Sequence, residues 1–209
     1  MYISHIYCPE QVEDEDLVLS SFTALHHCKG EPERFYELLT NITLVTTPDD
    51  ASLFLLLYNL LNGFRQSIER LLEVSSAEKC VASCKAMAAH CLVSPTARAL
   101  LRNIKIDDYI SELLLTHPNE IHPDWLITII TQCLKLIIAL CSDTDQLSQA
   151  LFADRLETVF LPMLRGGPAE GDPPLAAEER EQIMKLTARM IPHLFVGNRA
   201  LSIAFSNVL

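Results

Sequence analysis

Apolar residues along this chain recur at helical spacing, and no stretch alternates polar and apolar over a strand's length between turn residues. The acidic run Glu10 to Asp16 leads into Leu17-Val18-Leu19, Phe22 and Leu25, which predicts a helix with its acids at the positive end of the dipole. Lys29-Gly30 ends it. A short helix follows with Phe35, Leu38 and Leu39 inward. Pro48-Asp49-Asp50 opens a third, apolar through Leu53 to Leu57 and Leu60-Leu61, with Asn62-Gly63 as its expected stop. Phe64 to Val74 reads as a short follow-on helix.

Ser75 and Glu78 match a capping box, and the helix behind them runs to about Val93. Ser94-Pro95 places a cap and a first-turn proline at the head of the next. Asp107 or Asp108 starts another, which ends at His117-Pro118. His122-Pro123-Asp124 opens the most apolar helix, to Cys141. Ser142-Asp143 caps a short one, and Arg155 to Leu164 forms a further one. Gly166 to Pro174 is an exposed loop, since its glycines and prolines cannot continue a helix. Ala176 to Val196 is long and helical again, Gly197-Asn198 breaks it, and Arg199 to Val208 is the last.

A unit recurs at an offset of about 50 residues, at the long end of the helical-repeat range. A long apolar helix meets a polar break, a short helix with an Ala-Leu step follows, and another ends in paired leucines. His90 to Leu101 leads to Leu113-Leu114-Leu115. Ala139 to Asp143, with Ala150-Leu151-Phe152, leads to Val159 to Leu164. His193 to Leu201 begins a third copy, and Tyr58 to Leu72 reads as a shorter, degenerate one.

In these pieces the chain resembles armadillo-type repeats, over roughly residues 50 to 209. The matching segments are Pro95-Thr96-Ala97-Arg98, Gly197-Asn198-Arg199 and Phe160-Leu161-Pro162-Met163-Leu164. The family's glycine is missing: Ile106-Asp107 and Asp154-Arg155 stand in its place. The resemblance implies an all-α fold, a short right-handed helical solenoid. Residues 1–45 would form an N-terminal helical cap and 46–209 one continuous repeat domain, with the loop at 166–174. It also implies that the long helices line a concave groove.

Composition narrows the function. The chain has 209 residues, 49% hydrophobic, with Asp+Glu 27 against Lys+Arg 16 and a net charge of -11. This is too apolar for a disordered chain and too acidic for a general nucleic-acid binder. Seven cysteines, an odd number sitting mostly in apolar helical patterns, point to free thiols in the cytosol or nucleus. Met1-Tyr2-Ile3-Ser4-His5 has neither the basic nor the apolar stretch of a secretory signal. Mean hydropathy is +0.21, but Trp125 to Cys141 is short for a membrane span and carries Gln132 and Lys135, so a buried core helix is expected.

Cys80, Cys84, Met87 and Cys91 share one helix face, with His90 beside it. Two readings apply: a metal or redox site, or a core stripe of small apolar thiols. No further ligand pair completes a zinc set, so no metal and no cofactor are expected. His26-His27-Cys28 reads as a helix C-cap. No nucleophile–base pair, paired carboxylates or phosphate loop can be assembled, so no enzyme is expected.

What remains is a surface. Polar positions on the long helices form stripes: Asn59 and Asn62; Lys79, Ser83 and His90; Thr128, Thr131, Gln132 and Lys135; Gln182, Lys185 and Arg189. Amides can satisfy a peptide backbone, and Lys or Arg can select acidic side chains. The function expected is a scaffold or adaptor that holds a peptide segment of a partner protein. The alternative is a structural subunit that docks through its apolar end, Phe205 and Val208-Leu209.

Overall fold

The computed structural model describes residues 48–116, 120–142, 146–165 and 176–194. The expected N-terminal cap, His26-His27-Cys28, the 166–174 loop and the apolar C-terminal end lie outside them. Among the described residues every regular element is helical, and the all-α expectation holds.

The elements are α1 (Pro48–Ile68), α2 (Val74–Val93), α3 (Pro95–Asn103), α4 (Ile106–Leu115), a 3-10 turn (Pro123–Trp125), α5 (Leu126–Leu140), α6 (Gln146–Ala153), a π turn (Leu156–Phe160), α7 (Leu161–Leu164) and α8 (Ala177–Leu194). Ser94 caps α3 as its sequence requires: its hydroxyl accepts from the Ala97 N–H at 3.1 Å, and Pro95 follows at the first helical position.

Four local expectations are corrected. First, α1 does not stop at Asn62-Gly63 but runs on to Ile68. Gly63 serves close packing, because a Cβ there would lie 3.1 Å from Lys79 Cε and 3.2 Å from Ser83 Oγ on α2. The degenerate repeat read into Tyr58 to Leu72 is therefore one helix and a turn. Second, no capping box forms. The N-cap of α2 is Glu73, whose Oε2 accepts from Ser76 Oγ at 3.4 Å. Third, Arg155 to Leu164 is split. Pro162 has no N–H for the carbonyl four residues back. Just before it the wider bonds of a π turn appear, Phe160 N–H to Arg155 O at 3.4 Å and Leu161 N–H to Leu156 O. Fourth, the turn that lacks a glycine is made by Lys105, at φ 57, in the left-handed region that costs a residue with a Cβ about 1–2 kcal/mol.

Helix directions follow from cross-contacts. Gln66 meets Lys79 while Gly63 meets Ser83, so α1 and α2 are an antiparallel hairpin. His122, just before the 3-10 turn, donates its N–H to the Leu71 carbonyl just before α2 (2.9 Å). Midway along, Cys84 hydrogen-bonds Cys133. α2 and α5 therefore run parallel. α8 packs on the far part of the same row, against α5 and α7.

Burial repeats with these directions. Ala77, Cys80, Val81, Ser83, Cys84, Met87 and Cys91 are buried on α2. On α5 the positions 49 further on, from Leu126 in place of Ala77 to Leu140 in place of Cys91, are all buried too. Polar ties join residues at similar intervals along the chain. Arg98 reaches Ser142 Oγ (3.2 Å), Arg102 reaches Ser148 Oγ (3.3 Å), and Arg155 pairs with Asp108 and, at 3.5 Å, with Asp107.

Pro123–Leu140 is long and apolar enough to cross a bilayer by length and composition, once the 3-10 turn is counted with α5. In the fold, 56% of it is buried, and α5 is the helix that both α2 and α8 pack against.

The Gly63 contact gives a prediction with two signs. Gly63→Ala gains about 1 kcal/mol of helix propensity, and its Cβ meets only the mobile end of Lys79 and a hydroxyl that can rotate. It should leave the melting temperature unchanged or raised. Gly63→Leu should lower stability by about 1–3 kcal/mol through overpacking. Chemical denaturation of the two variants measures both.

Candidate interaction surface

Most of the polar stripe is exposed or half-buried, with exceptions. On α1, Asn59 is exposed and Asn62 half-buried. They share a stripe with Gln66, whose Oε1 accepts from Lys79 Nζ at 3.2 Å and links the stripe to α2. On α2, His90 is half-buried in the last turn. Ser83 is buried against Gly63 of α1. The exposed residues of α2 are instead Val74, Ser75, Glu78, Ala82, Lys85, Ala89, Leu92 and Val93, with Lys79 at the α1 edge.

On α5, Thr128 and Thr131 are half-buried and Lys135 is exposed. Thr131 Oγ1 donates to the Ile127 carbonyl at 2.7 Å. Gln132 is buried, at 8% exposure. Ser83 and Gln132 occupy equivalent positions, 49 residues apart, so one cause explains both departures. This phase of the helix points at the neighbouring helix and not at solvent, and a polar residue there reads as surface in a one-dimensional pattern. On α8, Gln182, Lys185 and Arg189 are all exposed. Lys185 pairs with Glu181 at 2.6 Å, and that ammonium holds the Glu181 carboxyl below its usual range.

The structure thus brings Lys135, Lys185 and Arg189 to the surface on neighbouring helices, and withdraws Ser83 and Gln132 into seams. Sequence reasoning placed Lys79 in the stripe. It missed Gln66 and Lys85, which a stricter helical wheel through Asn59 and Glu78 reaches at i+7.

The cysteines form a different kind of cluster. Cys80, Cys84, Cys91, Cys133 and Cys141 are free and buried. The Cys80 thiol is raised above its ordinary range by its hydrogen bond with Cys84 and by burial. Cys84 is raised by its bond with Cys133 first, and burial adds to it. The Cys80 and Cys84 thiols stay protonated, which suits packing and opposes the thiolate chemistry of metal binding and redox exchange. Among the described residues no three His, Cys, Asp or Glu side chains come together as metal ligands, and His90 does not join the thiols in such a group.

Asp107, at the start of α4, is the buried carboxylate. It is 4% exposed, and its Oδ1 has no hydrogen-bond partner among the described residues. Its pKa is raised, chiefly by desolvation and then by Asp108, while Arg155 opposes the rise. A raised folded-state pKa means that the native state binds the extra proton. Stability from this group is then fully present below its unfolded value and is lost as pH rises through the folded value. Asp107→Asn should abolish that slope and raise stability at pH 7. Melting temperature against pH for the two proteins tests it, and a slope that persists in the variant would assign the effect elsewhere.

In comparisons with protein-family models, with curated proteins and with solved structures, nothing matches this chain.

Proposed function

We propose that this chain is a non-catalytic protein-binding module of the cytosol or nucleus. Its architecture is a short right-handed solenoid of armadillo-like units, in which α2, α5 and α8 are successive third helices. Their open face holds a peptide segment of a partner protein. The observation that carries this reading is the register between units. α2 and α5 run parallel with one burial pattern repeated 49 residues apart, and the Arg98, Arg102 and Arg155 ties join each unit to the next. A stack held in register presents a preformed surface, which is how solenoids bind extended partners.

The corrected stripe gives the face its chemistry. Lys135, Lys185 and Arg189 are exposed cations within a chain of charge -11. Asn59, Asn62 and Gln182 supply amides that can bond a peptide backbone, and Thr128 and His90 border the face. Such a face favours a partner segment carrying acidic side chains. Phosphate backbones are poor ligands for it, because the surrounding field repels them.

Affinity capture from native lysate tests the reading. The variant Lys135→Glu/Lys185→Glu/Arg189→Glu changes only exposed side chains, so its melting temperature should fall only slightly, through the loss of the Lys185–Glu181 pair. Partners held by the wild type should be lost by the variant. An identical partner list would remove the face from the function and shift weight to a structural subunit docking through Phe205 and Val208-Leu209.

A further inference from the structure

A second site lies at the end of that face, at the elbow between α1 and α2. A cavity of about 280 Å³ opens there, lined by Gln66, Ser67, Glu69, Arg70, Ser76 and Lys79. Every side chain in the lining is polar, unlike the apolar pockets that take organic ligands.

Its hydrogen-bonding balance is one-sided. Ser67 and Ser76 are satisfied, donating to the Phe64 carbonyl at 2.6 Å and to Glu73 Oε2 at 3.4 Å. Lys79 gives one bond, to Gln66 Oε1, and has two N–H groups left. That bond occupies the Gln66 oxygen and leaves its amide N–H groups available. The Arg70 guanidinium has no hydrogen-bond or ion-pair partner among the described residues. Glu69 is the one acid in the wall, and it pairs with neither cation: the ion pairs among the described residues are those of Arg155 and Lys185. The cavity therefore offers two cations and the Gln66 amide as donors, with the carboxylates of Glu69 and, through Ser76, Glu73 beside them.

We infer that this elbow cavity binds a phosphoryl group, with Arg70 and Lys79 as its charged donors and the Gln66 amide as a neutral one. A phosphoryl group has three terminal oxygens and up to two charges. It can accept from a guanidinium fork and an ammonium at once, where a carboxylate saturates at fewer donors. The volume holds that group and the few atoms that carry it. The inference does not depend on the three cations of the peptide face, since none of Lys135, Lys185 and Arg189 lines the cavity.

The test is titration of the full chain with inorganic phosphate, O-phosphoserine and acetate, read by calorimetry and by amide shifts of Ser76 and Lys79. Saturable binding of phosphate or phosphoserine is expected, with acetate weaker. Arg70→Gln and Lys79→Gln should each weaken it about tenfold, the usual scale for a charge-assisted bond. Glu69→Gln should tighten it. Lys85→Gln, on the same helix but outside the cavity, should change nothing. These positions are exposed, and unchanged melting curves will show that the variants fold. Phosphate and phosphoserine binding alike would identify a free phosphorylated metabolite as the source. Tighter binding of a short phosphoserine peptide would identify a phosphorylated protein segment. No saturable shift in the wild type, acetate binding as tightly as phosphate, or an equal loss in Lys85→Gln would each overturn the assignment.

Discussion

Leu136→Ala should destabilise the protein by about 2–5 kcal/mol, the range for truncating a buried leucine. Leu136 is fully buried on α5, the helix that receives α2 on one side and α8 on the other. A cavity at that position cannot close by a shift of one neighbour without disturbing the other, which places the expected loss in the upper half of the range. Met87 is the residue 49 positions earlier and is also fully buried, on α2. Met87→Ala should cost a similar amount. Met184→Ala on α8, where the side chain is 41% exposed, should cost well under 1 kcal/mol, as surface substitutions do. Urea denaturation of the three variants measures the set. Equal small losses for all three would mean that α5 is not the centre of the stack.

The long helices were legible because their signals are redundant. In α5 nine apolar residues define one wide buried face, and no competing pattern fits them. The capping of α3 was legible because Ser94 and Pro95 each satisfy a separate requirement of a helix start. Gly63 misled because glycine has two uses. After a helix it supplies a left-handed stop, and within one it admits a neighbouring backbone. Only the position of α2 decides between them. Lys105 shows the converse, a left-handed turn held by a residue that gives no local sign of it. The seams are the least legible part of the surface. Ser83 and Gln132 sit at the polar margin of their helices, and whether that margin meets water or a neighbour depends on a partner helix far away in sequence. The 49-residue spacing between them was itself readable, and a repeat of a polar residue at a fixed period is as well explained by a conserved packing position as by a conserved binding position. The elbow cavity could not be read at all, since Arg70 and Lys79 flank a turn whose geometry the pattern does not specify.

Arg98→Ala should cost about 2–4 kcal/mol, and the reason separates a stacked array from a simple core. Arg98 is 4% exposed in α3. Its Nη1 donates to the Cys91 carbonyl at 2.5 Å, near the end of α2, and to Ser142 Oγ at 3.2 Å, beyond the end of α5. Ser142 Oγ in turn donates to the Ala139 carbonyl at 2.7 Å. One guanidinium thus ties the ends of both parallel helices, and hydrogen bonds from a charged donor contribute about 1.5–3 kcal/mol each before the lost packing of the side chain is counted. Alanine removes the donor and leaves the Cys91 carbonyl in a buried place without it. Arg98→Met keeps most of the volume and loses only the polar contacts, so the difference between the two variants measures packing against hydrogen bonding. Ser142→Ala removes one acceptor and should cost about 1 kcal/mol. If the tie joins two units, the double variant Arg98→Met/Ser142→Ala should cost less than the sum of the two singles, because the shared bond is lost only once. Strict additivity in that cycle would show that Arg98 stabilises its own unit alone. The register that carries the proposed binding face would then rest on the apolar contacts of α2 and α5.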